Sequence, residues 1–377
     1  MRNGRFFYSI VFILISGVGG LLLSLTGLSI GWMLGTLILA TVLSIFRPKF
    51  LKLQEGKGIA PYWLRIGQCI LAIELGQKIN LSIIEIFTEN WFTIIVVLVL
   101  SIFFALLSGF ILWKCSSTDM LTSFFGTAPG GLSAMPGIAE EVGANTGVVS
   151  IIQTMRVFLV VLTIPMIVSS WFSSYSEPVS HLTETASAGG SFTLPHIIWS
   201  LVLVLAAWGG YYIGKILRFP APWLVGGMVT VALVQALSSM YAGYDLVAYW
   251  PHSMMILSQL AIAGSIGSRF HKRMFQGLKR TIFVAFVSTI GLIVAMLVCA
   301  FFVSELTGIS LVTAALAFAP GGIAEMATTS VVLHADSTLV VAVQVLRIII
   351  VCIMLPPIFR LLNHWDVRKA KSSHASA

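Results

Sequence analysis

The chain is poor in charge: 10% of its 377 residues are Asp, Glu, Lys or Arg, whereas 58% are hydrophobic and the mean hydropathy is +0.98. Too few polar side chains are present to cover a soluble domain of this length, so a soluble globular fold is excluded. Cysteine is scarce as well. Cys69, Cys115, Cys299 and Cys352 stand singly, without C-x-x-C spacing, which indicates neither a disulfide framework nor a metal clip. The 7 histidines are scattered, mostly in loops and tails, and do not supply the clustered imidazoles of a copper monooxygenase. No nucleotide-binding motif is found, which removes ATP as a driver. The formal net charge of +8 does not point to nucleic acid, because the basic residues lie in short clusters between apolar runs and form no groove. No cofactor and no enzymatic activity are expected.

What the chain has in quantity is apolar runs. Stretches of the roughly 17–25 residues that cross a hydrocarbon core lie near 6–25, 30–46, 62–80, 91–113 and 146–171, and again near 196–217, 222–241, 250–268, 281–303 and 337–360. Two more segments, 117–145 and 308–336, are apolar but broken by Pro and Gly. The expected fold class is all-α: a polytopic membrane protein with about ten transmembrane helices plus two broken, re-entrant hairpins. Arg2 and Arg5 before the first run resemble a signal peptide, yet no A-x-A site follows, so that run is read as the first span.

The runs are duplicated. Ala128-Pro129-Gly130-Gly131, Met135, Gln153, Arg156 and Pro165 recur as Ala319-Pro320-Gly321-Gly322, Met326, Gln344, Arg347 and Pro356, each 191 residues later. The same offset links Trp32 to Trp223, Gln68 to Gln259 and Gly76 to Gly267. The expected division is membrane repeat 1 (1–172), a polar linker (173–195), membrane repeat 2 (196–362) and a cytoplasmic tail (363–377). Five full spans and one hairpin per repeat make an odd number of crossings, so the two copies insert upside down relative to each other. Arg47, Lys114, Arg218, Arg269 and Arg280 then collect on one side and Glu85, Glu177 and Glu305 on the other. The positive-inside rule puts the basic side, with both termini, in the cytoplasm. The expected location is the cell inner (cytoplasmic) membrane, multi-pass.

Pro129, Gly130 and Gly131, and their counterparts Pro320, Gly321 and Gly322, remove a backbone donor and free the backbone, which breaks a helix. Bare peptide groups within a membrane survive only against protein or a water-filled cavity, and a helix restarting there aims its N–H groups at an anion. The plainer reading is a kink with close helix packing. Arg156 and Arg347 each fall about eleven residues into a span, near mid-membrane, where an arginine costs about 2.5–3.5 kcal/mol on insertion scales. Gln153 and Gln344, three residues earlier, share their helix face. Each Gln/Arg pair either meets an anionic solute or bonds the hairpin carbonyls without touching it.

Glu325, three residues after Gly322 where repeat 1 has Ala134, is the sharpest candidate for a coupling-ion site, or else it is the counter-ion of Arg347. Glu74, mid-span opposite Ser265, is a weaker candidate of the same kind. The hydroxyls of Ser133, Thr127, Thr328 and Thr329 are candidate ligands. Glu140, Glu141, His334 and Asp336, at hairpin-to-span junctions, read as solvated caps, with Asp336 starting its helix.

The doubled A-P-G-G-x-x-x-M with downstream Q-x-x-R resembles the AbrB-type duplicated bacterial membrane protein family over nearly the whole chain. Members of that family carry labels as different as transcriptional regulator and ammonia monooxygenase, and the family looks akin to the cation/proton antiporter and anion transporter superfamily. The kinship implies crossing discontinuous helices, here those flanking Pro129–Gly131 and Pro320–Gly322. Antiporters of that superfamily often carry paired acidic residues in a mid-membrane helix, where this chain has Gln/Arg, which weighs against plain sodium/proton exchange. The function expected is a secondary transporter that moves a small, carboxylate-bearing solute by alternating access, coupled to H+ or Na+. A membrane-embedded sensor or regulator without net transport is the alternative. The partners expected are a small-molecule or ion substrate and the lipid bilayer, with no nucleic acid; a homodimer is left open.

Overall fold

A computed structural model of the protein describes residues 2–28, 30–47, 58–79, 82–129, 139, 143–175, 194–219, 221–242, 246, 248–275, 278–351 and 354. These residues are helical, with no strand among them. Repeat 1 supplies α1 (Arg2–Ser24), α2 (Gly31–Phe46), α3 (Tyr62–Gly76), α4 (Ser82–Cys115), α5 (Met120–Thr127) and α6 (Thr146–Tyr175). Repeat 2 supplies α7 (Leu194–Ile216), α8 (Pro222–Ala242), α9 (His252–Gly267), α10 (Lys279–Thr307), α11 (Leu311–Phe318), α12 (Ile323–Val332) and α13 (Ser337–Val351). A short 3-10 turn, Lys272–Phe275, follows α9.

Among the described residues, six helices (α1, α4, α6, α7, α8 and α10) are long and apolar enough to cross a membrane. Large apolar side chains such as Phe7, Phe92, Leu201, Phe283 and Phe302 stand exposed along four of them, a surface suited to lipid and not to water. The chain is a polytopic helical membrane protein. Helices α2, α3 and α9 are only 15 or 16 residues long and pack inside the bundle; the expectation of about ten spans counts these shorter helices too.

The internal repeat is visible as reciprocal packing. Helix α2 lies against α9 while α3, the counterpart of α9, lies against α8, the counterpart of α2. Close backbone approaches obey the same exchange. A side chain at Gly76 would strike Met228 and Val231, and one at Gly267 would strike Leu37 and Ala40, each pair 191 residues apart. Such exchange of partners is the mark of a two-fold relation. The sense of that relation follows from helix ends. Ile59, just before α3 begins, donates its N–H to Ser268, just after α9 ends, at 3.1 Å. Arg280 at the start of α10 donates to the carbonyl of Cys115 at the end of α4, at 2.9 Å. Corresponding helices therefore run in opposite directions, and the repeats are inverted.

The broken segments have local causes. Helix α5 starts on Asp119, whose carboxylate accepts from Thr122 N–H at 2.9 Å, and α11 starts on Ser310, whose hydroxyl accepts from Thr313 N–H. Both stop at an alanine that precedes proline, Ala128 and Ala319, held extended at ψ near 131° and 137° because the following ring excludes the helical conformation. Beyond the second break α12 begins at Ile323 and the chain then comes back: Asp336 N–H donates to Thr313 Oγ1 near the start of α11. Asn145 N–H does the same to Thr122 in repeat 1. Each segment is thus a re-entrant hairpin. An eight-residue arm such as α11 spans about 12 Å, somewhat less than half of a hydrocarbon core about 30 Å thick. The hairpins enter from opposite faces, one following the end of α4 beside Arg280 and the other following the far end of α10.

Candidate functional site

Arg156 on α6 and Arg347 on α13 are buried at the hairpin tips. Arg156 Nη1 donates to the carbonyls of Thr127 at 2.6 Å and Ala128 at 3.1 Å, and its Nη2 donates to Gln153 Oε1 at 2.8 Å. Gln153 Nε2 in turn donates to Phe125 and Ala128 carbonyls, both at 2.8 Å. In repeat 2, Gln344 Nε2 donates to Leu316 and Ala319, while Arg347 donates to Ala319 and, at 2.8 Å, to Gly321. Apart from that of Gly321, which lies in the break itself, these carbonyls sit at the end of a helix that Pro129 or Pro320 prevents from continuing, so they have no partners further along the chain. The guanidinium also faces the negative end of the helix dipole. Charge-assisted hydrogen bonds contribute about 1.5–3 kcal/mol each, so two or three of them offset an insertion cost of about 2.5–3.5 kcal/mol. The energetics of two mid-membrane arginines are thereby accounted for.

The tips approach one another. Arg347 lies within electrostatic range of Arg156, and Gly321 packs so closely on α6 that a side chain there would come to 3.1 Å from Val160. Some hydrogen-bonding capacity is left over: Nε of both arginines and Oε1 of Gln344 are buried without a partner among the described residues. Repeat 2 differs from repeat 1 here, because Arg347 reaches Gly321 instead of bonding the glutamine three residues before it.

Glu325 is buried in the first turn of α12. Its carboxyl group folds back over Gly322, the residue before the helix. Only glycine permits this, since a Cβ at position 322 would collide with Oε2 of Glu325. The positive helix end at this break is therefore already met by a carboxylate from the protein itself. The charge facing Glu325 is Arg269, not Arg347.

In the sequence Arg269 is one of the topogenic basic residues. It follows the end of α9 and is half-buried. Burial holds its guanidinium below the ordinary arginine value and Glu325 acts against that shift, so it stays cationic. Arg269 lines a cavity of 510 Å³ between the first turns of α6, the residues leading into α3 and the end of α9, together with Ser150, Thr154, Ser265, Ser268 and His271. The hydroxyl protons of all four lining Ser and Thr residues already point back to carbonyls of their own helices or helix ends.

The remaining candidates are dispersed. Pro129 directly follows the end of α5; Gly130, Gly131, Ser133, Glu140 and Glu141 lie outside the described residues. Glu74 sits near the end of α3 and is bridged by Lys78 at 2.7 Å. Thr127, Thr328 and Thr329 bond back to their own helices. Asp336 caps α13 by accepting from Leu339 N–H at 2.9 Å, and His334 is exposed. Trp223 stacks on Tyr211, with ring centroids 4.1 Å apart. Among the described residues no group of His, Cys, Asp and Glu is arranged to hold a metal ion.

Inverted repeats, each with a re-entrant hairpin whose tip is tied by a buried Gln/Arg pair, define a duplicated helical membrane protein. The chain belongs to the AbrB family: the family described as "Transition state regulatory protein AbrB" matches residues 32–363. It is 55% identical over 355 residues to "Uncharacterized protein YhjN" of Bacillus subtilis (strain 168), covering 94% of this chain and 92% of that one. It is also similar to "Putative regulator AbrB" of Escherichia coli (strain K12), at 24% identity over 311 residues, or 80% of this chain and 83% of the relative.

Proposed function

We propose that the protein is a secondary transporter of the cell inner membrane that moves a small, carboxylate-bearing solute by alternating access, coupled to H+ or Na+. The observation that carries this reading is the approach of Arg156 and Arg347 at two hairpins that enter from opposite faces of an inverted repeat. Inverted repeats with broken helices at a shared midplane are the architecture of many secondary carriers, because each half supplies the mirror state of the other. Cationic groups at both tips favour an anionic solute, and Glu325 is the candidate for the coupling ion. Arg47, Lys114, Arg218, Arg269 and Arg280 fall on one face, which supports a cytoplasmic assignment for that face and for both termini.

Uptake by sealed proteoliposomes tests the reading. Arg156→Ala and Arg347→Ala each abolish accumulation of the solute while the purified protein remains folded; unchanged uptake removes both residues from the mechanism. The family description and the name of the Escherichia coli relative favour a second reading, a membrane-embedded regulator. A regulator binds its ligand or partner without accumulating solute in sealed vesicles.

A further inference from the structure

Arg269 differs from the two tip arginines in one respect. Arg156 and Arg347 spend their terminal nitrogens on hairpin carbonyls and, for Arg156, on Gln153 as well, whereas the guanidinium of Arg269 donates no hydrogen bond among the described residues. It is held at the wall of a 510 Å³ cavity, and among the described residues the acidic group that acts on it is Glu325, without a direct ion pair. A guanidinium presents its N–H groups as a planar fork that matches a carboxylate bidentately, so a fork without a partner among the described residues, in a pocket of this size, suits that group. The other lining groups fit the same ligand. Their hydroxyl protons are committed to helix carbonyls, which leaves the Arg269 guanidinium as the cationic donor of the pocket. The cavity also lies between the repeats, walled by α6 of one and the end of α9 of the other.

We propose that Arg269 is the anchor of an entry site in this cavity, binding the carboxylate of the transported solute, with Glu325 as an internal counter-charge that weakens this binding. The proposal rests on the carrier reading for the identity of the solute, but places its first contact at a residue outside both hairpin tips. The carboxylate of Glu325 competes electrostatically for Arg269 from the break of repeat 2, which links occupancy of the cavity to the segment that carries Gly321 and Gly322.

The test is binding to the purified full-length protein, measured by calorimetry and by thermal shift with acetate, benzoate and succinate, with choline as a cationic control and inorganic phosphate and sulfate as further arms. At least one carboxylate binds and choline does not. Arg269→Gln weakens that binding roughly tenfold or more, the loss of a charge-assisted bidentate contact, Arg269→Lys retains part of it, and Glu325→Gln tightens it. Ser150→Trp, which fills the cavity while leaving the guanidinium in place, abolishes it and covers the case in which Arg269→Gln fails to fold. Binding unchanged in folded Arg269→Gln or in Ser150→Trp overturns the site. Failure of every carboxylate to bind, or binding of inorganic phosphate or sulfate alone, overturns it as well, and weaker binding in Glu325→Gln overturns the role given to Glu325. If Arg269 binds carboxylates but sealed proteoliposomes never accumulate them, the carrier reading fails and the site stands. Wild-type uptake by Arg269→Gln has the opposite meaning.

Discussion

Ser258 donates its hydroxyl to the carbonyl of Gly67 at 2.9 Å, and the two residues are counterparts, 191 positions apart. Equivalent residues can touch only where the axis relating the two copies passes between them, so the contact locates that axis at the crossing of α3 and α9. A side chain at Gly67 would come to 2.8 Å from Ile262 and 3.1 Å from the Ser258 carbonyl. Gly67→Ala therefore forces the two central helices apart and costs about 1–3 kcal/mol, the range for overpacking. Ser258→Ala removes one hydrogen bond and costs about 0.5–1.5 kcal/mol. Thermal unfolding of the two variants in detergent reads the difference, with Gly67→Ala the less stable.

The Gln/Arg pairs are expected to resist even conservative replacement. Arg156→Lys keeps a charge but offers a single ammonium in place of a fork that reaches Thr127, Ala128 and Gln153 together. At least one helix-end carbonyl is then left unpaired, at a cost of about 1–3 kcal/mol. The unfolding midpoint of Arg156→Lys falls below that of the wild type, and Gln153→Leu, which releases Phe125 and Ala128, falls with it.

Gly322 is expected to control Glu325. In Gly322→Ala the new methyl occupies the place of the carboxylate, which must leave the start of α12. The double variant Gly322→Ala with Glu325→Ala has nothing left to displace. It is expected to be about as stable as Glu325→Ala alone, whereas Gly322→Ala by itself is destabilised by about 1–3 kcal/mol. A double-mutant cycle on unfolding midpoints measures the coupling; additive effects would show that the two residues do not meet.

The duplication was legible because a constant offset of 191 residues survives from Trp32 to Pro165, and an odd number of crossings per copy then dictates inversion. The Gln/Arg pairs were legible as well, since three-residue spacing puts both on one helix face. Their partners were not. Carbonyls 25 to 29 residues away carry no side-chain signature, so Thr127, Ala128 and Ala319 had no signal as acceptors. Arg269 was hidden for a different reason: in sequence it is one of a run of basic residues, Arg269, Lys272 and Arg273, that topology alone explains. Only the packing of α6 and the approach to α3 against the end of α9 turns it into a cavity wall. The folding of Glu325 over Gly322 follows from the chain turn at the start of α12, which spacing suggests without fixing.

Everything in the account depends on the inversion of the two copies. Lys114 and Glu305 are exposed counterparts, at the ends of α4 and α10, and carry opposite charges. In a variant freed of its native cysteines, Lys114→Cys and Glu305→Cys are labelled separately with a membrane-impermeant maleimide, before and after the cells are permeabilised. The account predicts that Glu305→Cys reacts in intact cells and Lys114→Cys only after permeabilisation. Reaction of both from the same side would contradict it.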